Sequence, residues 1–416
     1  MARAPLTRKG NPMANQDLIR PQGNAAAAFA LNDEQREILD QADNYARKEL
    51  FPLQSRMDNE EWWPPHVMPV LGRMGYLGVT VAPEFGGSGG DFFTTGLITQ
   101  ALARWNPAIS LSYAVHENLC LNNIYRNGND DIRRRYMPCM CDGSAIGALG
   151  LTEPEAGSDA LGSMGTTARR SGDTYVLNGR KLYITNGPIA DVLLIYAKTD
   201  KSKGAKGISA FVVEKSFPGF QVAQKLDKMG FRGSTTAELV FEDCLVPAAN
   251  MVGSENNGVA VVMSGLDLER AIIAMINLGM AERAFALALE YAKARKQFGR
   301  AIGEFQMVQA KLADMYTAVE TIRTFCYRTM AEANSLEVGA GGRGDIHKLT
   351  AACILYAAEA CSRVVNDAVQ IHGGAGYMRE TEINRLYRAT KLLEIGAGTT
   401  EIRKLIIAGE LMRRTT

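Results

Sequence analysis

The amino-acid sequence predicts an α+β protein of several domains, in which a β domain lies between two helical parts. Two observations predict this order. All 14 prolines of the 416 residues lie at or before Pro247. Because proline interrupts helix interiors, the proline-free remainder is expected to be a bundle of long helices. In the middle of the chain, β-branched and aromatic residues instead form short runs that are typical of strands.

The first helical domain is predicted over residues 31–145. Asn32 and Gln35 have the spacing of a capping box, which marks a helix start. Apolar residues follow at Ile38 and Ala42, on one face of the expected helix.

Residues 1–30 are predicted to be a flexible N-terminal extension. They hold four basic residues and a single acidic one, Asp17. An Arg-rich, acid-poor segment is typical of a transit peptide, which would place the protein in the mitochondrial matrix. The interpretation we favour is a disordered bacterial extension on a cytoplasmic protein, because three prolines interrupt any amphipathic helix there.

The β domain is predicted over residues 146–253. Asn178-Gly179, flanked by β-branched and aromatic residues, is typical of a hairpin with a type I′ turn, because both positions tolerate positive φ. Further short strands are predicted at Val192–Tyr196, Ile208–Val213 and Ala237–Phe241. The βαβ order with a glycine-rich turn is missing, so a Rossmann dinucleotide site is not expected.

The second helical domain is predicted over residues 254–416. Val308, Leu312, Met315 and Val319 recur at alternating steps of four and three, which places them on one face of a helix. Two further helical segments are predicted at residues 266–296 and 346–371.

Composition limits the function of the protein. The 46 Lys and Arg residues balance 45 Asp and Glu residues, which excludes overall basicity as a route to nucleic acid or to a membrane surface. No apolar run approaches the roughly 18 residues of a membrane-spanning helix, so membrane insertion is not expected. The four histidines and seven cysteines lack metal-ligand spacing, so we expect a reduced intracellular protein without a bound metal.

Four motifs are candidates for a ligand site, and each has a structural alternative. Thr152–Asp159 is either a surface turn or a source of amide and hydroxyl donors. Arg295–Gly299 is either a solvated helix end or a phosphate contact. Gln370–Gly376 is either a helix C-cap or a close approach of the backbone to a ligand. Glu269 and Arg270 by themselves would most often be a solvated pair.

Six motifs in one order make the chain resemble the acyl-CoA dehydrogenases, from about residue 31 to the C-terminus. They are Thr152–Asp159, Tyr183–Gly187, Asp267–Arg270, Arg295–Gly299, Gln370–Gly376 and Gly396–Glu401. Lys225–Ser234 and Val240–Cys244 are most similar to the branch of the family that acts on isovaleryl-CoA. The resemblance implies an N-terminal helical domain, a middle β-barrel-like domain and a C-terminal four-helix bundle.

The resemblance also implies a reaction. A branched short- or medium-chain acyl-CoA would be dehydrogenated to its trans-2-enoyl-CoA, with FAD bound at a subunit interface of a homotetramer and electron transfer flavoprotein as the acceptor. Most members carry the catalytic base as a Glu near the C-terminus, where this chain has Ala397. In the isovaleryl branch the base is the Glu of Leu-Asp-Leu-Glu-Arg, so the resemblance assigns it to Glu269.

The remaining roles are those of the matching positions. The flavin is expected to contact Leu149, Leu151, Thr152, Gly157, Ser158, Tyr183, Ile184, Thr185, Thr399 and Glu401. Its diphosphate and adenosine part is expected to meet, on a neighbouring subunit, Arg295, Gln297, Phe298, Gln306, Gln370, Gly373 and Gly374. The acyl-CoA is expected to contact Ser158, Asp267, Leu268, Arg270, Gly396, Ala397 and Gly398. The N–H of Ala397 would polarise the thioester carbonyl.

Departures from the isovaleryl branch leave the substrate open. Ala260 stands where that branch has Tyr, Tyr183 replaces Trp, and Met275–Asn277 replaces a Gly-rich turn. Gly396 leaves room for a methyl branch at the β-carbon, although one methyl is worth only about 1–3 kcal/mol of discrimination. Alternatives are a longer 3-methyl-branched substrate such as citronellyl-CoA, an acyl-CoA oxidase that uses oxygen, and a helical scaffold without catalysis.

Overall fold

The computed structural model describes residues 31–335 and 342–413, so the predicted extension over residues 1–30 lies outside the described residues. The N-terminal part is helical, as predicted. Its α-helices are α1 (Asp33–Tyr45), α2 (Gln54–Glu60), α3 (Val67–Arg73), α4 (Phe92–Trp105), α5 (Pro107–Ala114), α6 (Asn123–Asn127) and α7 (Asp130–Cys141). The predicted capping box starts α1: the Asn32 side chain accepts the N–H of Gln35 at 2.8 Å, and the Gln35 side chain accepts the N–H of Asn32 at 3.1 Å.

Two stretches of the N-terminal domain have the wider hydrogen bonding of a π-helix, Ala46–Leu50 and Val115–Asn122. π-helical stretches are rare in proteins, and those that occur often lie at functional sites. The second joins α5 to α6 and is buried along its whole length. Its His116 accepts the N–H of Gly147 at 2.8 Å, which ties the helical domain to the start of the sheet.

The middle domain is one eight-stranded sheet. Its strands are β1 (Gly147–Gly150), β2 (Thr167–Ser171), β3 (Thr174–Thr185), β4 (Val192–Lys198), β5 (Ile208–Glu214), β6 (Phe220–Lys225), β7 (Thr236–Pro247) and β8 (Met251–Val252). The order is β6-β7-β3-β2-β4-β5-β8, and β1 pairs in parallel with β4. The three short strands predicted in this region are confirmed as parts of β4, β5 and β7. Alternate residues of β4 enter two apolar clusters: Leu193 packs in the sheet interior, and Leu194 packs among the surrounding helices.

The hairpin predicted at Asn178-Gly179 is wrong. These residues lie inside the continuous strand β3, and the register with β7 shifts at this point. Gly179 has φ +151°, and an added Cβ would lie 2.4 Å from Oγ1 of Thr166. The Asn178 side chain bonds to Asp243 in both directions instead of turning the chain. The dipeptide therefore forms a β-bulge, and the turn between β2 and β3 falls at Gly172.

The C-terminal part is helical, as the absence of proline predicts. Its helices are α8 (Gly258–Ala294), α9 (Gln306–Asn334), α10 (Gly344–His372), α11 (Gly374–Tyr377), α12 (Glu382–Leu393) and α13 (Thr400–Met412). A short hairpin of β9 (Lys296–Gln297) and β10 (Arg300–Ala301) follows α8. The predicted stripe on α9 is confirmed: Met315 and Val319 are buried among the helices, and Val308 and Leu312 pack at the edge of the same core.

The long helix α8 joins the two cores of the molecule. Near its start, Val261 and Val262 pack in the same cluster as Leu194, where the sheet meets the N-terminal helices. From Leu268 onward, the buried residues of α8 pack in the core of the helical domains. Glu269 follows directly at this junction. In the part of the chain that the structure describes, no helix is both long and apolar enough to cross a membrane.

A buried ion-pair network holds the N-terminal domain on α8. Glu282 of α8 pairs with Arg104 of α4 and, at 2.9 Å, with Arg323 of α9. Arg104 also pairs with Asp43 of α1 at 2.5 Å. Three helices and both helical domains therefore meet around one carboxylate.

Candidate active site

Glu269 is a partly buried carboxylate without a partner in the part of the chain that the structure describes. No hydrogen bond or ion pair joins its carboxylate to any residue within 31–335 and 342–413. Burial raises the pKa of this carboxyl to about 7, although the nearby guanidinium groups of Arg270 and Arg403 act in the opposite direction. Such a carboxylate ionises near neutral pH and is available to accept a proton.

Glu117 also has a raised pKa, but its environment differs. Burial raises the pKa of Glu117 to about 7. Both of its oxygens accept backbone N–H groups, from Gly78 at 2.7 Å and from Val79 at 2.8 Å. Its oxygens are engaged in holding a loop, so it is not a second candidate for the base.

Asp267 and Arg270, two of the predicted substrate contacts, bond to each other. Nη1 of Arg270 donates to Oδ1 of Asp267 at 2.9 Å, and Nδ1 of His347 lies 2.7 Å from the same oxygen. The N–H of Gly342 donates to the other carboxylate oxygen at 2.6 Å. Burial opposes the ionisation of Asp267, but the bonds from His347 and Gly342 outweigh it and hold the pKa below its usual range. Asp267 is therefore a fixed anion that orients Arg270 next to Glu269.

The loop between α12 and α13 is held by two guanidinium groups. Nη2 of Arg403 donates to the carbonyl of Leu393 at 2.8 Å and to that of Gly396 at 2.5 Å. Nε of Arg270 lies 3.4 Å from the carbonyl oxygen of Ala397. Ala397 has φ +57°, a conformation that is uncommon for a residue with a side chain. The structure therefore brings Glu269, Arg270 and the predicted loop contacts into one place.

The other predicted contacts near this loop have different environments. Gly398 follows in the loop with φ +92°, and Thr399 caps α13. Glu401 is exposed in the first turn of α13. Leu268 is buried in the helical core.

Sequence reasoning missed Arg403 and His347. Arg403 is fully buried, and its Nε and Nη1 have no hydrogen-bond partner among the described residues. Burial lowers the pKa of its guanidinium to about 10, which leaves it charged at neutral pH. The signal for Arg403 is its place on α13, three and four positions before Ile406 and Ile407, on an apolar face. His347 is a single histidine on α10 with no spacing signal.

The first group of predicted flavin contacts lies on adjacent segments of the sheet. It consists of Leu149, Leu151, Thr152, Tyr183, Ile184 and Thr185. The carbonyl of Thr152 accepts the N–H of Leu182 at 2.9 Å, which ties the segment after β1 to β3. Leu149 and Leu151 pack against the same apolar cluster as Leu266, three residues before Glu269. Tyr183 has φ +61° and a side chain that is 67% exposed, so its ring is free to stack on a ligand.

A buried ion pair, which sequence reasoning also missed, links these segments. Nζ of Lys181, fully buried on β3, donates to Oε1 of Glu153 at 2.8 Å and to the carbonyl of Leu151 at 3.1 Å. Glu153 also accepts the N–H groups of Gly165 at 2.5 Å and Thr166 at 3.1 Å. Burial lowers the pKa of Lys181 to about 8, although the negative charge of Glu153 acts to raise it. No local signal marks Lys181, because the β-bulge at Asn178-Gly179 interrupts the alternation of β3 before it.

Gly157 and Ser158 lie in the exposed loop after Glu153. A Cβ added at Gly157 would meet no heavy atom within 4 Å, so the backbone there is open to a ligand. The segment is therefore a surface loop with an accessible backbone, and the ligand alternative stays a prediction.

The second group of predicted flavin contacts lies at the far end of α8. It consists of Arg295, Gln297, Phe298, Gln306, Gln370, Gly373 and Gly374. Gln297, Phe298 and Gln370 line a cavity of about 340 Å³. Phe298 and Gly299, both with positive φ, form the turn of the β9–β10 hairpin, and Phe298 is 94% exposed. Arg295 ends α8 and Gln306 begins α9, while Gly373 and Gly374 have open space above their backbone.

The two groups are far apart within one chain. Glu269 and Arg295 are separated by 26 positions along α8 and its C-cap. At 1.5 Å per residue this is a separation of about 39 Å. A metal site is not part of either group: within residues 31–335 and 342–413, no cluster of three His, Cys, Asp or Glu side chains could hold an ion.

Family profiles match three consecutive parts of the chain. Residues 32–144 match the N-terminal domain of acyl-CoA dehydrogenases, residues 148–244 match the middle domain, and residues 256–412 match the C-terminal domain.

Individual proteins match over nearly the whole chain. The mitochondrial isovaleryl-CoA dehydrogenase of Solanum tuberosum is 42% identical over 397 residues, which cover 95% of this chain and 94% of that protein. The mitochondrial 2-methylacyl-CoA dehydrogenase of the same organism is 41% identical over 396 residues, which cover 94% of each. The structure of butyryl-CoA dehydrogenase from Megasphaera elsdenii matches with a TM-score of 0.88 at 36% identity, over 93% of this chain and 100% of that one.

Proposed function

The chain belongs to the acyl-CoA dehydrogenase family, and from that premise we propose that it desaturates a branched short- or medium-chain acyl-CoA with Glu269 as the base. It is a flavin-dependent oxidoreductase that acts on the CH–CH group of an acyl-CoA. Beyond this family activity, we propose which residue is the base, which acyl chain is the substrate and how copies of the chain assemble.

The observation that carries the proposal is the state of Glu269. A general base has to be free of competing hydrogen bonds and to ionise near the working pH. Glu269 meets both conditions, because its carboxylate has no partner among the described residues and burial raises its pKa to about 7. Arg270, held by Asp267, places a positive charge beside it that favours the ionised form.

In the proposed reaction, Glu269 takes the proton from the α-carbon of the acyl thioester. That hydrogen is weakly acidic because the thioester carbonyl stabilises the charge left on the α-carbon. The electron pair of the broken C–H bond becomes the α,β double bond while the β-hydrogen departs as a hydride. FAD, when bound, supplies the acceptor for this hydride. The products are a trans-2-enoyl-CoA and a protonated Glu269.

The N–H of Ala397 is proposed to bind the thioester carbonyl oxygen. This N–H has no acceptor among the described residues, and its residue is held in a left-handed conformation. A backbone donor that meets the oxygen as charge develops on it stabilises the transition state more than the ground state. Arg270 and Ser158 are proposed to meet the CoA arm.

The residues present fit FAD. Tyr183 offers an exposed ring, and Gly157, Gly373 and Gly374 leave open space above the backbone. Arg295 offers a guanidinium to a diphosphate. The first group of contacts and Glu269 would hold the redox-active half, and the second group would hold the nucleotide half.

The distance between the two groups supports a shared site between copies of the chain. About 39 Å along α8 is too far for one dinucleotide to span within a single chain. The exposed Phe298 and Met307 beside the cavity at the far end of α8 would then contact a neighbouring copy. A homotetramer, with FAD at an interface in each copy, satisfies this requirement.

A methyl branch at the β-carbon is the proposed substrate feature. An added Cβ at Gly396 would touch a single atom, the Leu392 carbonyl oxygen at 3.4 Å, so space is left at this loop. The relatives named for isovaleryl-CoA and for 2-methylacyl-CoA are almost equally identical to this chain, so identity alone does not choose between β- and α-branching.

The test is a panel of acyl-CoAs added to the purified protein without oxygen. We expect a yellow protein whose flavin is bleached with the highest kcat/KM by isovaleryl-CoA, ahead of 2-methylbutyryl-CoA, butyryl-CoA and citronellyl-CoA. A higher value for citronellyl-CoA would move the proposal to longer chains. A colourless protein, or a flavin that no acyl-CoA bleaches, would contradict it.

Two further arms test the acceptor and the assembly. We expect reoxidation by electron transfer flavoprotein and a tetrameric mass in light scattering. Rapid release of hydrogen peroxide in air would instead identify an oxidase.

A further inference from the structure

Arg403 is the largest fully buried side chain of the described residues, and it forms no ion pair with any carboxylate among them. Its Nη2 donates to two backbone carbonyls, and its other nitrogens have no hydrogen-bond partner within residues 31–335 and 342–413. Burying a guanidinium without an ion pair is unfavourable, so the fold gives up stability to keep a positive charge here.

The bond to Gly396 fixes one particular peptide group. The carbonyl of Gly396 and the N–H of Ala397 belong to the same peptide unit, which is planar and trans. The two bonds of a trans peptide point in opposite directions. Because Arg403 holds the carbonyl at 2.5 Å, the N–H of Ala397 points away from the buried cation. No described residue accepts that N–H.

The cation also changes how strongly this N–H donates. A charge-assisted hydrogen bond to an amide oxygen draws electron density through the peptide and makes its N–H a better donor. The next peptide is fixed from the other side, since Arg270 lies 3.4 Å from the carbonyl of Ala397. Together the two guanidinium groups hold Ala397 at φ +57°.

We propose that Arg403 is a positioning residue of the reaction, which aims and polarises the Ala397 N–H through the carbonyl of Gly396. This inference rests on the proposed function, because it takes that N–H as the donor to the thioester oxygen. Arg403 does not touch the substrate in this account. It acts on this donor through one peptide group, and it makes the donor strongest as negative charge builds up on the thioester oxygen. Its charge also lowers the pKa of Glu269, so the carbonyl frequency of a bound thioester, and not the rate alone, isolates the effect on the donor.

The test is the carbonyl stretch of a bound thioester, measured by infrared difference spectroscopy on the FAD-loaded protein. The probe is 3-methylcrotonyl-CoA, isotope-labelled at the thioester carbonyl. The wild-type protein is expected to lower the stretching frequency relative to the probe in water. In Arg403→Gln most of this shift should disappear, and flavin bleaching by isovaleryl-CoA should slow about 10- to 100-fold, because one polarised donor is weakened.

Two variants serve as comparisons. Arg403→Lys keeps the charge without the planar fork, so an intermediate shift is expected, and it serves if Arg403→Gln does not fold. Arg283→Gln removes a guanidinium that pairs with Glu382 at 2.6 Å elsewhere in the helical domain. It should keep the wild-type frequency and rate, which separates the effect from a general loss of stability.

The outcomes distinguish this inference from the function on which it rests. Arg403→Gln with a full flavin content and a wild-type carbonyl frequency would overturn the role of Arg403, whatever its rate, and would leave the dehydrogenase proposal standing. A wild-type protein that binds the probe without shifting its carbonyl stretch would overturn Ala397 as the donor, and the inference with it.

Discussion

Glu269 and Glu282 lie thirteen positions apart on helix α8, and their carboxyl pKa values are shifted in opposite directions. Glu282 is fully buried and accepts hydrogen bonds from Gln100 at 2.9 Å and from Arg323 and Arg104. Burial opposes its ionisation, but the two guanidinium groups outweigh burial and hold its pKa below the usual range. No described residue pairs with Glu269 in this way, and burial raises its pKa to about 7.

The difference shows that burial alone does not decide what a carboxylate does. A buried carboxylate surrounded by donors is a structural anion, and here it fastens two helical domains together. A buried carboxylate without donors is unfavourable for the fold and available for proton transfer. The same substitution at the two positions should therefore have opposite consequences, and the following experiments examine that contrast.

The largest expected effect is on the rate at which the flavin of the Glu269→Gln variant is reduced. The amide keeps the shape of the side chain and does not accept the α-proton, so flavin bleaching by isovaleryl-CoA should fall about 10³- to 10⁴-fold. Anaerobic stopped-flow absorbance measures this rate at matched flavin content. Glu282→Gln is the control and should bleach at the wild-type rate once its folded fraction is taken into account.

The second effect concerns the stability of Glu282→Gln. Removing this anion leaves Arg104 and Arg323 buried with their main partner lost, so the free energy of unfolding should fall by about 3 kcal/mol. Urea denaturation at pH 7 measures it. An unchanged midpoint would mean that the network contributes little to the contact between the helical domains.

Glu153 is another buried carboxylate with donors, and it lies beside the first group of predicted flavin contacts. Lys181→Met leaves Glu153 without its cation but with the N–H groups of Gly165 and Thr166, so we expect a loss of about 2 kcal/mol and weaker FAD retention. Equilibrium dialysis of FAD and urea denaturation measure the two effects. The double variant Lys181→Met/Glu153→Gln should regain part of both, and a further loss would contradict a paired role.

The smallest effect is a gain in stability of Glu269→Gln at alkaline pH. The folded pKa of Glu269 is raised, so its ionisation disfavours the folded state; this penalty is absent below about pH 4.5 and complete above about pH 7. The full pKa difference would correspond to roughly 3 kcal/mol at pH 8, but Glu269 is only partly buried, so the variant should be more stable than the wild type by about 1–2 kcal/mol. At pH 4.5 the two should be nearly equal. Thermal unfolding at the two pH values measures the difference, and a loss of stability at pH 8 would mean that Glu269 has a partner.

The fold was largely predictable because its signals are local. The absence of proline after Pro247 permits each of the long helices α8, α9 and α10, and the apolar stripe lies within α9 alone. Both predictions were confirmed. The hairpin at Asn178-Gly179 was wrong because the dipeptide fits a bulge as well as a turn, and the approach of Thr166, a tertiary contact, selects the bulge.

The site was predictable only in part. Glu269 was assigned by resemblance, and nothing in the local sequence distinguishes it from Glu282, since both lie on one helix among apolar residues. The supporting residues were missed because their partners are distant: His347 is 80 positions from Asp267, and Lys181 is 28 from Glu153. Those contacts exist only after the domains have packed.

The measurement that tests the central claim most directly is the pH dependence of kcat/KM for flavin bleaching by isovaleryl-CoA, which reports the ionisation of the free enzyme. If Glu269 is the base, kcat/KM should rise as the pH increases through about 7 and level off above it. The same curve should appear in Glu282→Gln, and the rise should be missing from the residual activity of Glu269→Gln. A wild-type kcat/KM that is already level from pH 5.5 upward, or a rise that persists in Glu269→Gln, would contradict the assignment of Glu269 as the base.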